Sequence, residues 1–113
     1  MNDKLFLMKP GFPNAGLGPF YCGDSVPVEG LLGFFPELRD KLDVTYIDFP
    51  RPRQAIVDLV GEANQSVPVL VLGDEASVPA GVDVKDAEGH RFIDDERHIR
   101  QYLSARHALP TAG

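Results

Sequence analysis

Apolar positions along the chain fall into short runs broken by proline and glycine. Lys4–Met8 (KLFLM) is an apolar run stopped by Pro10-Gly11, the pattern of a buried strand. The following GFPNAGLGP is rich in glycine and proline and predicts a surface loop between Gly11 and Pro19. From Val26 onward Val28, Leu31, Leu32 and Phe35 recur at helical spacing, with Pro27 in the first turn, where no backbone N–H is needed. Pro36 stops or kinks that helix, and ELRDKL adds about one turn. Val44–Phe49 (VTYIDF) nearly alternates β-branched and aromatic residues and predicts a strand.

Beyond Pro-Arg-Pro-Arg, Ile56, Leu59 and Val60 share a helical face. Val67 and Val69–Leu72 then form a continuous apolar run, as in a strand covered on both sides. Pro68 cannot donate to a ladder and so belongs at that strand's entrance. An irregular segment with a short strand at Val82–Val84 leads to a last strand at His90–Asp94 and a helix carrying Ile99, Tyr102 and Leu103 on one face. The order is β-α-β-α-β-β-α: a single α/β domain over 1–113, with a four-stranded mixed sheet and three helices on its two faces. The helix between the first two strands makes them parallel, whereas the last pair can be antiparallel.

Composition narrows the function classes. The chain has 113 residues, enough for one core but not two. A net charge of −6 argues against nucleic acid or an anionic membrane as main partner. Cys22 is the only cysteine, so no disulfide can form within the chain, which suits a reducing cytoplasm. The N-terminal apolar core, Leu5–Met8, is too short for a secretory segment, and no later run could span a bilayer.

Chemistry centres on Cys22-Gly23-Asp24-Ser25, just ahead of the first helical run. A thiol at a helix mouth faces unpaired N–H groups and the positive end of the helix dipole, which favour thiolate. Ser25 can add a hydroxyl hydrogen bond to that thiolate, but it cannot resolve a mixed disulfide, so a catalytic cycle needs an external thiol. In the bland alternative Cys22 packs as a small hydrophobe and Ser25 caps the helix. His90, His98 and His107 lack ligand-like spacing with Cys22 or one another, so no metal site is expected. No phosphate-loop pattern follows a strand, so no nucleotide is expected either.

The strand, loop, Cys-x-x-Ser, and Ser66-Val67-Pro68 opening a strand resemble thioredoxin-like proteins, glutaredoxins among them. More closely, LFLMKPGF, FYC, VEGLL and PRPRQAIVDLVGEANQSVPVLVL resemble a small family of uncharacterised bacterial thioredoxin-like proteins. The resemblance implies glutathione as ligand or co-substrate, and a monothiol thiol-disulfide oxidoreductase or glutathione-binding protein. It implies that Pro68 is cis and turns the backbone of Val67 toward Cys22. It further implies that Arg51 or Arg53 meets the glycine carboxylate, that Asp95 meets the γ-glutamyl end, and that Lys9 stands where the glutaredoxin lysine lies; Tyr21, beside the thiol in sequence, either shapes a pocket or packs. The loop between Lys9 and Cys22 is longer than in glutaredoxins, and no Gly-Gly pair precedes Asp94-Asp95. A thioredoxin-fold binding module without a redox cycle is the alternative expectation.

Overall fold

The alternation in the first strand separates two cores. In the computed structural model, which describes residues 1–113, β1 (Asp3–Met8) lies at the heart of a five-stranded sheet. It runs parallel to β4 (Leu42–Ile47), paired from Asp3↔Leu42 to Met8↔Ile47, and antiparallel to β5 (Val69–Val71). Next come β7 (His90–Ile93) and, at the edge, β6 (Lys85–Ala87), in the order β4-β1-β5-β7-β6.

Side chains of a strand point alternately to its two faces. Leu5, Leu7, Leu70, Leu72 and Ile93 pack against α1 (Ser25–Phe34), the short α2 (Leu38–Lys41) and α4 (Glu96–Arg106), which contribute Val28, Leu32, Leu38, Ile99, Tyr102 and Leu103. Phe6, Val69, Val71 and Phe92 face the other way and meet Ile56 and Val60 of α3 (Gln54–Val60). Helices therefore cover both faces, and the three central strands are buried on each side. No helix is long and apolar enough to cross a membrane.

Four expectations need correction. The sheet has five strands rather than four. Its extra edge strand is Lys85–Ala87, not Val82–Val84, because a tight turn at Glu88-Gly89 sets the register. Both turn residues have positive φ (51° and 77°), which pairs Ala87 with His90 and extends the ladder back to Lys85↔Phe92. Val82 and Val84 instead pack against the core as irregular chain. Second, the Gly11–Pro19 loop is a hairpin, β2 (Phe12–Asn14) with β3 (Leu17–Phe20). Its turn, Ala15-Gly16, again has positive φ at both positions, a geometry that alanine disfavours and the sequence therefore does not advertise. Third, there are four helices, because Pro36 separates α2 from α1. Fourth, β4 spans Leu42–Ile47 rather than Val44–Phe49, and Phe49 leaves the sheet to stack on Phe12.

One polar cluster ties the ends of the chain together. The buried Asp3 carboxylate accepts a hydrogen bond from the Tyr102 hydroxyl at 2.6 Å and another from the Gly73 N–H at 2.7 Å. Burial, and then the bond to Asp3, push the Tyr102 phenol well above its ordinary value, so it remains a donor. A Cβ on Gly73 would run into the carbonyl of Met1, so this close approach admits only glycine.

Candidate functional site

Cys22 lies between β3 and α1, in the turn that starts the helix. Its carbonyl accepts hydrogen bonds from the N–H groups of Ser25 (3.1 Å) and Val26 (3.3 Å). The bond from Val26 has α-helical spacing, so Cys22 itself closes the first turn and its side chain stands at the helix mouth. The thiol is half-buried and lies 3.8 Å from the Val67 carbonyl oxygen, to which it can donate. The Val67–Pro68 peptide is cis, and Pro68 directly precedes β5. The Val67 N–H has no partner within the chain, so one free donor sits on the same residue whose carbonyl meets the thiol.

Ser25 points elsewhere. Its hydroxyl is buried and accepts from the Met8 N–H at 3.2 Å, tying the start of α1 to the end of β1. Its role in the geometry is to satisfy a backbone donor that the sheet leaves unpaired. Lys9 pairs with Asp48 at 3.2 Å, in an exposed ion pair at the ends of the two parallel strands. Tyr21 is exposed beside Cys22, along with Phe20 and Leu17 of the hairpin.

Arg53 is a bracket. Its Nε and Nη2 donate to the Phe49 carbonyl at 3.1 and 2.8 Å, and its Nη1 donates to the Gln65 carbonyl at 2.7 Å. Its backbone N–H donates to Oε1 of the buried Gln65 at 2.7 Å. The guanidinium also lies over the Phe49 ring, 5.6 Å from its centroid, while Phe12 stacks on that ring at 4.5 Å. One side chain thus fixes the loop after β4, the segment ahead of Val67 and, through Phe12, the hairpin. Burial, with Arg51 nearby, holds the guanidinium below its ordinary value. It remains charged at neutral pH. Arg51 is exposed and its side chain has no partner.

Asp95 caps α4, accepting from the Arg97 N–H at 2.9 Å and the His98 N–H at 3.1 Å through the same oxygen. The His98 N–H, with help from Arg97, holds this carboxyl below the usual range. Asp95→Ala is expected to cost about 1 kcal/mol, while Asp95→Asn, which keeps the acceptor, costs only a few tenths. Because the folded carboxyl titrates below the unfolded one, the cap's contribution is present above the unfolded value and lost as pH falls through the folded one. Thermal melts of the three proteins from neutral to acid pH check both points.

Gln65, which holds the site together with Arg53, carries no periodic signal, since a buried amide in a loop looks like any polar loop residue, and the alternation that counts Phe49 into the preceding strand hides its place against Arg53. No group of three or more His, Cys, Asp or Glu is placed to hold a metal ion. Comparison with curated proteins finds no match, and comparison with solved structures finds none either. Residues 2–111 match the model of a family described as "Protein of unknown function (DUF3088)", and the chain belongs to that family.

Proposed function

We propose that this protein is a thioredoxin-like, glutathione-linked monothiol protein that works through Cys22 in a reducing cytoplasm. The strand order around β1 supports the likeness: a parallel neighbour reached through a helix, then two antiparallel strands, with α3 opposite α1 and α4. The observation that carries the chemistry is the Cys22 thiol beside the Val67 carbonyl, with the Val67 N–H free. An extended thiol peptide could add to that backbone as a short strand and bring its sulfur to Cys22.

The cycle balances with glutathione as co-reactant. The Cys22 thiolate attacks the glutathionyl sulfur of a mixed disulfide R–S–S–G; the S–S bond breaks, R–S⁻ leaves, and Cys22–S–S–G forms. A second glutathione thiolate then attacks the glutathionyl sulfur of that adduct, releasing glutathione disulfide and restoring the Cys22 thiolate. The net reaction is R–S–S–G + GSH → R–SH + G–S–S–G, in which the R sulfur is reduced and the sulfur of the incoming glutathione is oxidised. Arg51, unpaired and exposed near the start of α3, is the cation free to meet a ligand carboxylate, and the second oxygen of Asp95 can meet an amine.

Incubation with glutathione disulfide, followed by intact-mass analysis, tests the reading. The expected product is a single glutathione adduct on Cys22, absent from Cys22→Ser and removed by added glutathione. A Cys22 that stays free in the folded protein, yet is modified after unfolding, would overturn it.

A binding module without a redox cycle is the second reading, and one observation favours it. Ser25, Lys9 and most of the Arg53 guanidinium are committed to partners inside the chain, which leaves fewer groups for a tripeptide. Under this reading Cys22 forms no adduct and its replacement leaves partner binding intact.

A further inference from the structure

The outer surfaces of α1 and α4 form an open groove of about 960 Å³, which Pro110–Ala112 also line and Cys22 does not. Leu31, Phe34 and Phe35 line its α1 side, and Phe34 is 84% exposed. A phenylalanine held in water on a well-formed helix carries unburied apolar surface that a partner would cover. Gly30 lies in the same wall, and a Cβ built there meets nothing, so another backbone can come close.

The charge along this groove is opposite to that of the chain. The protein carries −6 overall, yet no aspartate or glutamate lines the groove, whereas Arg97 and Arg100 do. Arg100 is paired with Glu96 through two hydrogen bonds, of 2.7 and 3.2 Å. The Arg97 guanidinium has neither a hydrogen bond nor an ion pair; only its backbone N–H is engaged, by Asp95. An apolar wall facing an unsatisfied cation calls for an apolar face flanked by carboxylates.

We infer that the α1–α4 groove is a docking site for an acidic amphipathic helix of a different protein. The shape fits: α1 has ten residues and is therefore about 15 Å long, so the valley can seat two to three turns of helix. A second copy of this chain fits less well, because a two-fold interface presents the same patch from both sides, and this patch brings the unpaired Arg97 but no aspartate or glutamate of its own lining to meet it. An anionic membrane fits poorly as well, since the surface is a concave groove rather than a flat or convex face.

The probe is a panel of short fluorescent helical peptides with a leucine face and glutamate elsewhere, compared by anisotropy with lysine counterparts. Phe34 and Arg97 are exposed, so Phe34→Ser and Arg97→Glu should fold normally, which circular dichroism checks. Acidic peptides are expected to bind and lysine peptides not to. Each substitution should weaken binding by about tenfold, and added salt should weaken it further. Equal binding of both charges, no binding by any peptide, or indifference to both substitutions would overturn the inference. So would a wild-type dimer in sedimentation that Phe34→Ser dissociates, which would make a second copy the occupant, or adsorption to anionic vesicles that the same change abolishes.

Discussion

Asp3→Ala is expected to lower stability by about 3 kcal/mol, with a fall in melting temperature on the order of 10 °C. The reason lies in the two donors left behind. The Tyr102 hydroxyl and the Gly73 N–H both point at this carboxylate, and Tyr102 is fully buried. Removing the acceptor strands both donors in a space too apolar to solvate them. Tyr102→Phe removes one donor and leaves the carboxylate with the Gly73 N–H alone, so it should cost less, about 2 kcal/mol. The double substitution should be less damaging than the sum of the two, since each removes the same bond. Chemical denaturation of the four proteins gives the cycle, and strict additivity would show that the Asp3–Tyr102 bond contributes nothing to stability.

The second large effect is at Arg53. Arg53→Ala is expected to destabilise the fold by about 2 kcal/mol, because the Phe49 and Gln65 carbonyls lose their charged donor together. Arg53→Lys should recover less than half of that, since a single ammonium cannot span both carbonyls as the planar fork does. The glutathione adduct on Cys22 should form several-fold more slowly in both variants, because the Gln65–Pro68 segment that presents Val67 has lost its bracket. This separates two roles. An arginine that only meets the ligand would lower adduct formation without changing the melt, whereas a bracket moves both. Melting curves and adduct kinetics on the same samples decide between them.

Both effects come from residues whose partners are far away in sequence, and that explains their poor visibility in the chain. Asp3 reads as a polar residue ahead of an apolar run, and Tyr102 as one position on a helical face. Arg53 reads as a cation at a helix start, which the helix dipole disfavours and which therefore suggests a ligand. Its actual partners are backbone carbonyls, and these have no sequence signature at all. Lys9 and Ser25 behave alike: the residue types fit a thiol site, but folding places Asp48 and the Met8 N–H within their reach. The hairpin at Phe12–Phe20 was hidden for another reason. Its turn is Ala15-Gly16, where an asparagine or aspartate before the glycine would have announced it, and Pro13 and Pro19 read as breakers.

What the sequence determined by itself is the layered α/β architecture. Leu5–Met8 and Val69–Leu72 are continuous apolar runs, the mark of strands covered on both faces, so a sheet with helices on each side follows from them. The helical spacing of Val28 and Leu32, of Ile56 and Val60, and of Ile99 and Leu103 then supplies the layers that cover them. These are local periodicities, set by backbone geometry, and they survive whatever the rest of the chain does. Only the tertiary structure decided that Cys22 meets Val67, that Arg53 braces the segment before it, and that Phe34 and Arg97 share an open groove. Those juxtapositions depend on strand order and on where loops return, and no local period in a chain encodes the distance between residues that folding alone brings together.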